Sequence, residues 1–292
     1  MLSPYIAARG LGKSFNGKPV LADVSFTVEP GDVVGVLGKN GAGKTTLLEI
    51  MLGFTPASGG DVRLFGHHSH SLPGNVKSRV GFVPQQDELL DQLNVGDQLR
   101  VIASFYPRWD SVLVERLCAE WGLDLKARIK GMSVGERQKL SILLAFGHKP
   151  DLLVLDEPVA SLDPLARRQF LEQLVEVSTD SQRAIIFSSH IVSDIERLAN
   201  RIWILKDGRL DWQGDLDSLK ESIVRVHARG AAETLAAVKV SGTLSSRQDG
   251  NFLTLVVRDW SREAQVRLES LADVEVEVQA LALEEIFLEL HR

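Results

Sequence analysis

Nine residues constrain this chain more than any others: Gly38-Lys39-Asn40-Gly41-Ala42-Gly43-Lys44-Thr45-Thr46 fits the pattern G-x-x-x-x-G-K-[ST]. Its glycines let the backbone curl tightly and point successive amide N–H groups inward, where they can cradle phosphate oxygens. Just before it lies Val33–Leu37 (VVGVL), a short apolar run of the fully buried kind. Just after it Leu47, Leu48, Met51 and Leu52 fall at helical spacing. A buried strand, a glycine loop and a helix in that order also aim the positive end of the helix at the same anion. Lys44 can reach the β- and γ-phosphates of a nucleotide, and the Thr45 hydroxyl can sit on Mg2+.

Alternation of strand and helix extends the pattern. Val20–Val28 is β-rich and ends at the turn signal Glu29-Pro30-Gly31-Asp32; strand and turn return over 61–84. Residues 87–148 read as mostly helical, through Val95–Phe105, Val112–Trp121 and Val134–Phe146. Buried strands follow at Leu152–Leu155 and Ala184–Phe187, separated by a helix near 164–178, and a strand Arg201–Lys206 reaches the turn Asp207-Gly208. The spacing predicts an α/β core interrupted by a helical insert. The strand Leu152–Leu155 ends in Asp156-Glu157-Pro158. In nucleotide hydrolases with such a loop, a carboxylate in that place holds Mg2+, here Asp156. Glu157 can then accept a proton from an attacking water. Alone, two acidic residues can simply mark a strand end; beside the phosphate loop that reading loses its weight.

After about residue 215 the character changes. Strands are expected at 222–228, 239–246, 251–258 and 273–279, helices at 231–238, 260–271 and 281–290, and a hairpin turn at Arg247-Gln248-Asp249-Gly250. The order β-α-β-β-α-β resembles the ferredoxin-like arrangement, followed by an amphipathic helix carrying Leu281, Leu283, Ile286, Phe287 and Leu290. We therefore expect two domains in the 292 residues, 1–215 with a helical subdomain at about 87–148, and an accessory α+β domain at 216–292.

Composition narrows the function. A formal net charge of −6 argues against a protein whose main work is to neutralise nucleic-acid phosphates, so no nucleic-acid partner is expected. The single cysteine, Cys118, cannot form an internal disulfide; it sits at a helical position and reads as a small core residue. No stretch approaches the roughly 18 apolar residues of a membrane span, and the opening MLSPYIAARG does not read as a signal peptide. His67, His68 and His70 lie between glycine and proline with no evident carboxylate partner and read as a surface turn. Tyr106-Pro107-Arg108-Trp109-Asp110 reads either as a packed connector or as part of a docking surface.

At this point the chain resembles the ATP-binding cassette (ABC) ATPases. Ser133-Val134-Gly135-Glu136-Arg137-Gln138, at a helix start and 23 residues before Asp156, is similar to their signature sequence. Gln85, 41 residues after Lys44, resembles the Q-loop; Ser161-Leu162-Asp163 the D-loop; His190 the switch histidine. Phe15 occupies the place of the aromatic that stacks on adenine. The resemblance covers residues 4–215 and implies a P-loop NTPase core with an antiparallel β subdomain and a helical insert. Against the usual L-S-G-G-Q, Met132 replaces leucine, Val134 the first glycine and Glu136 glutamine. Ser133 and Gly135, the residues that would touch the γ-phosphate, remain. The Glu136 carboxylate is expected to point aside, toward Arg137.

The resemblance implies the rest. Two copies would face head to tail around two ATP, each site joining Phe15, Gly38, Asn40, Gly41, Ala42, Gly43, Lys44, Thr45, Thr46, Gln85 and Asp156 of one copy to Ser133 and Gly135 of the other, with Asp163 alongside. Mg2+ would rest on Thr45, Gln85 and Asp156; Glu157 would polarise the attacking water and His190 would hold the γ-phosphate. The expected role is the ATPase subunit of a transporter, peripheral on the cytoplasmic face and docked on a separate integral membrane subunit, with export favoured. An importer ATPase with a regulatory tail and a soluble mechanical ATPase acting on ribosomes or DNA stay open as alternatives.

Overall fold

The apolar runs that precede the chemistry-bearing loops become interior strands. In the computed structural model, which describes residues 3–271 and 273–292, Val33–Leu37 and Leu152–Leu155 are buried at every position. Met1, Leu2 and Ala272 lie outside the described residues, and with them the first two positions of the opening segment weighed above as a leader. The chain divides into two compact units, Met1–Gln213 and Gly214–Arg292.

The first unit opens with β1 (Ile6–Phe15) and β2 (Lys18–Val28), paired antiparallel so that Phe15 faces Lys18 at the tip. Asn16 and Gly17 make that turn with positive φ, a conformation these two residue types adopt most readily. Next come β3 (Val33–Leu37), α1 (Lys44–Leu52), β4 (Gly59–Leu64), β5 (His67–His68), α2 (Gly74–Lys77) and β6 (Val80–Val83). The insert holds α3 (Val95–Ala103), α4 (Ser111–Glu120) and α5 (Val134–Phe146), and Cys118 is buried in it as expected. The unit continues with β7 (Leu152–Leu155), α6 (Pro164–Ser178), β8 (Ala184–Ser188), α7 (Val192–Leu198), β9 (Arg201–Lys206) and β10 (Arg209–Asp215), whose last two residues fall past Gln213.

Two sheets result, one ordered β2-β1-β4-β5 and one ordered β10-β9-β3-β8-β7-β6. In the second, β9, β3, β8, β7 and β6 run parallel. Parallel strands in a row bring the carboxyl ends of β3, β6, β7 and β8 to one edge, where ligands of open α/β sheets bind. Leu47, Leu48 and Met51 of α1 join one apolar core with Val34, Val154 and Ile186 of the parallel sheet and Phe26 and Val62 of the antiparallel one. Phe26 and Trp203 tie the layers, their ring centroids 4.3 Å apart. Helix α1 is held on its apolar face, which fixes the glycine loop that leads into it.

The second unit holds α8 (Leu216–Ser222), β11 (Ile223–Arg229), α9 (Ala232–Ala236), β12 (Thr243–Asp249), β13 (Phe252–Arg258), α10 (Arg262–Glu269), β14 (Glu275–Ala280) and α11 (Leu283–Leu290). Its sheet is ordered β12-β13-β11-β14 and every pairing is antiparallel, which is the ferredoxin-like topology. Val226, Leu253, Leu255 and Val257 meet Leu235 of α9 and Leu268 of α10 in its core. Most boundaries shift from the sequence reading by a residue or two, and the largest departures lie in the β12–β13 hairpin. The strand expected from 239 starts at Thr243, because Val238 and Val240 pack on the core from a loop and Gly242 then turns with φ +78°. The hairpin turn falls at Gly250-Asn251, since Arg247, Gln248 and Asp249 still pair with β13.

Candidate functional site

The loop after β3 is shaped by what surrounds it. A Cβ on Gly38 would lie 2.7 Å from the Leu205 carbonyl oxygen, so only glycine fits beneath it. Gly43 turns with φ 105° immediately before α1, and a Cβ there would sit 2.9 Å from Leu21 and 3.1 Å from the Val20 carbonyl. That close approach lays β2 against the loop; Phe15 pairs with Lys18 at the tip of the same hairpin. Phe15 is 46% exposed, and the Lys13 ammonium, which donates to the Pro56 carbonyl, lies 4.5 Å from its ring centroid. Asn40 and Gly41 are exposed on the loop, while Ala42, Thr45 and Thr46 are half-buried.

Four residues from the ends of β7 and β8 form one network, which Glu157 joins to Lys44. Its ammonium donates to the Gly38 carbonyl at 2.8 Å and stands 3.8 Å from Glu157 Oε1. Asp156 ends β7 with only 1% exposure, and its Oδ1 accepts from Ser188 Oγ at 2.6 Å. The Glu157 N–H donates to the same Ser188 Oγ at 2.8 Å, and its Oε2 lies 2.7 Å from His190 Nδ1 while also accepting the His190 N–H. Glu157 holds φ 50°, a left-handed conformation that costs a non-glycine residue about 1–3 kcal/mol and collects at functional sites. Ser188 therefore orients the Asp156 carboxylate and anchors the Glu157 backbone, and sequence reasoning missed it. The signal was present: Ser188-Ser189-His190 breaks an unbroken apolar strand with three polar residues.

Asp156 Oδ2 is buried and has no hydrogen-bond partner. A buried carboxylate oxygen without a partner is costly unless a cation meets it. Among the described residues no group of three or more histidine, cysteine, aspartate or glutamate side chains is placed to hold a metal alone. One carboxylate, one hydroxyl (Thr45) and substrate phosphates is a donor set that suits Mg2+, which keeps near-octahedral oxygen ligation with few protein ligands.

The remaining predicted residues have surroundings of their own. Gln85 is exposed, two residues beyond β6. Asp163 caps α6, accepting from the Leu165 and Ala166 N–H groups at 2.9 Å, and these amides hold its carboxyl below the usual carboxylate range. Ser133 caps α5, and a Cβ on Gly135 would sit 3.3 Å from the Ser161 carbonyl, so the signature and D-loop segments adjoin. The expectation that Glu136 turns toward Arg137 is corrected. Glu136 Oε2 accepts both the Ser133 N–H and the Ser133 Oγ–H, completing a capping box, whereas Arg137 pairs with Asp87 and Asp91. A second correction concerns the histidine turn: His68 does meet a carboxylate, with Nδ1 2.7 Å from Asp61 Oδ1.

Near Gln85 an apolar groove of about 430 Å³ opens between the helical insert and the antiparallel sheet, lined by Phe54, Phe82, Leu89, Ile102, Tyr106 and His148 among others. Tyr106 stacks on the His148 ring at 4.0 Å, and Trp109 covers Gly147. The Tyr106–Asp110 stretch is thus a packed connector whose first residue also lines the groove.

The site and fold define a class of nucleotide hydrolase, and the comparisons name it. A family model described as ABC transporter matches residues 21–160. The ABC transporter ATP-binding protein YtrB of Bacillus subtilis is 29% identical over 283 residues, 97% of each chain. The Nod factor export ATP-binding protein I of Burkholderia lata is 35% identical over 219 residues, 73% of this chain and 72% of that one. A solved ATP-binding subunit of an ABC transporter, 30% identical, superposes with a TM-score of 0.68 over 74% of this chain and 92% of its own. The dimeric cassette MJ0796, 20% identical, shares the fold with a TM-score of 0.65, over 72% of this chain and 98% of its own. The chain belongs to the ATP-binding subunits of ABC transporters and is an ATPase of that family.

Proposed function

We propose that two copies of this chain close head to tail around two ATP and drive a separate integral membrane subunit, on its cytoplasmic face, in export. The observation that carries the pairing is the division of the site. Lys44, Asp156, Glu157 and His190 converge on one edge of the parallel sheet, while Ser133 and Gly135 stand at the N-terminus of α5 with their own contacts to Glu136 and Ser161. A second copy turned to face the first brings α5 of each, with its positive N-terminal end, over the phosphates held by the other. The apolar groove beside Gln85, lined by Phe54, Phe82, Leu89 and Ile102, offers the docking surface for the membrane subunit. The similarity to an export ATP-binding protein favours export.

Each residue then has a task. The loop amides and Lys44 bind the phosphates, and Phe15 offers its free face to adenine. Asp156 and Thr45, with Gln85, would hold Mg2+, which supplies charge neutralisation on the transferred phosphoryl group. Glu157 takes a proton from the attacking water, His190 steadies it through the 2.7 Å contact and faces the γ-phosphate, and Ser188 fixes the Glu157 backbone. Closure removes bulk water and strengthens each of these electrostatic contacts.

The test is Glu157→Gln. Loss of a positioned general base costs roughly 10²–10⁴-fold in turnover, so the variant should bind ATP, hydrolyse it poorly and accumulate as a closed dimer. Light scattering that shows only monomer with saturating magnesium-ATP, with and without a membrane extract, would sink the pairing. Affinity capture with the same variant from membranes should recover an integral membrane protein; recovery of ribosomes or DNA would replace transport by a mechanical role.

A further inference from the structure

The signature serine is not free to meet a phosphate. Its hydroxyl carries one proton, and that proton is donated to Glu136 Oε2 at 2.7 Å, while the Ser133 N–H donates to the same oxygen at 2.8 Å. The return bond, from the Glu136 N–H to Ser133 Oγ, is longer at 3.3 Å. The Ser133 hydroxyl and N–H, with Lys139 nearby, hold the Glu136 carboxyl below its ordinary value, so it is ionised at neutral pH. Both side chains are exposed at the N-terminus of α5. A glutamine at this helix position would complete the same capping box without the charge.

We propose that Glu136 is a positioning residue that acts through Ser133: its carboxylate competes with the γ-phosphate bound by the second copy for the single Ser133 hydroxyl proton, and so raises the ATP concentration needed to close the pair. This rests on the paired-site reading above. The balance is simple. When Ser133 donates in cis to Glu136, a charge-assisted hydrogen bond is made within one copy; when it donates in trans, that bond is broken and an anion is left facing an anion. The exchange opposes closure in every site, and no bond of the first copy's own phosphate loop is involved. Binding of ATP to the open, single copy is therefore untouched, and only the closing step is weakened.

The experiment compares Glu157→Gln with the double variant Glu157→Gln/Glu136→Gln, titrating magnesium-ATP and reading dimer by light scattering. Replacing a charge-assisted bond by a neutral one is worth about a tenfold change in equilibrium. The ATP concentration at half-dimerisation should thus fall by about tenfold, with the affinity of the single copy for a fluorescent ATP analogue unchanged. Adding Ser133→Ala to both proteins should shrink that gain to under about twofold, because coupled residues lose their interaction when one is removed. Equal midpoints for the two proteins, a tenfold change already present in the single copy, or a gain that survives intact in the Ser133→Ala pair would each overturn the proposal. If Glu157→Gln itself never dimerises, the failure lies in the paired-site reading instead. Glutamine keeps the cap, and an unchanged melting temperature confirms that folding is not what moved.

Discussion

Ser188 offers the sharpest test of how the site is held. Its hydroxyl is fully buried and makes two bonds, donating to Asp156 Oδ1 at 2.6 Å and accepting from the Glu157 N–H at 2.8 Å. Ser188→Ala removes both at once. The bond to a carboxylate is worth about 1.5–3 kcal/mol, and leaving the buried Glu157 N–H unpaired costs about 1–3 kcal/mol more. A loss near 4 kcal/mol is expected, and in a unit of this size each kcal/mol shifts Tm by about 2–4 °C. Melting followed by circular dichroism should therefore fall by about 8–16 °C. The second effect is on chemistry. Glu157 keeps its left-handed backbone only while its N–H is anchored, and a displacement of about 1 Å at a reacting group can cost 10²-fold. Turnover should drop roughly 10–100-fold, with ATP affinity nearly intact because Lys44 and the glycine loop are held from Leu205 and Leu21 instead. A variant that melts within about 2 °C of the parent and turns over within about twofold of it would refute the anchoring argument.

Three further outcomes follow from single contacts. Burial pushes the His148 imidazole below its ordinary value, so in the fold it stays neutral where an unfolded chain would protonate. Above about pH 6.5 neither state gains a proton, and as pH falls below that value stability should drop by up to about 1.4 kcal/mol per pH unit until the folded pKa is reached; His148→Gln should flatten this slope in melting curves taken from pH 7.5 to 5, and an unchanged slope would reject it. Phe15→Ala should weaken ATP binding about 2–10-fold, the worth of one stacking contact, and Phe15→Trp should restore it in equilibrium titrations. Arg137, paired with both Asp87 and Asp91, holds the segment after Gln85 to α5. Arg137→Ala should therefore speed amide exchange across residues 85–91 while ATP affinity holds, and unaltered exchange there would show the pairs to be incidental.

How much of this was legible depended on whether a signal is local. The strand Val33–Leu37, the helix Val134–Phe146 and the strand Arg201–Lys206 could be bounded to the residue, because an apolar run meets a cap, a glycine or a turn dipeptide at its ends. Strand β10 was passed over: its residues, RLDWQGD, are mostly half-buried or exposed, and an edge strand that shields little apolar surface leaves no periodic mark. Helices α7 and α8 are each seven residues long, too short for a clear 3.6-residue pattern.

The site divides along the same line. Backbone-shaped chemistry was readable, since a glycine that must turn at φ 105° or lie 2.7 Å from a carbonyl can be nothing else. Side-chain chemistry across strands was not. Ser188 and Asp156 are 32 positions apart and meet only because β7 and β8 are parallel neighbours in register, Leu155 beside Phe187. Glu136 shows the opposite failure: its nearest cation in sequence, Arg137, looked like the natural partner. On a helix, however, adjacent residues point to different faces, while the cap and the third residue of the first turn face each other. Ser133 and Glu136 had the right spacing, and Arg137 was thereby released to reach Asp87. Local charge complementarity misled because helix geometry, not proximity along the chain, decides which groups can touch.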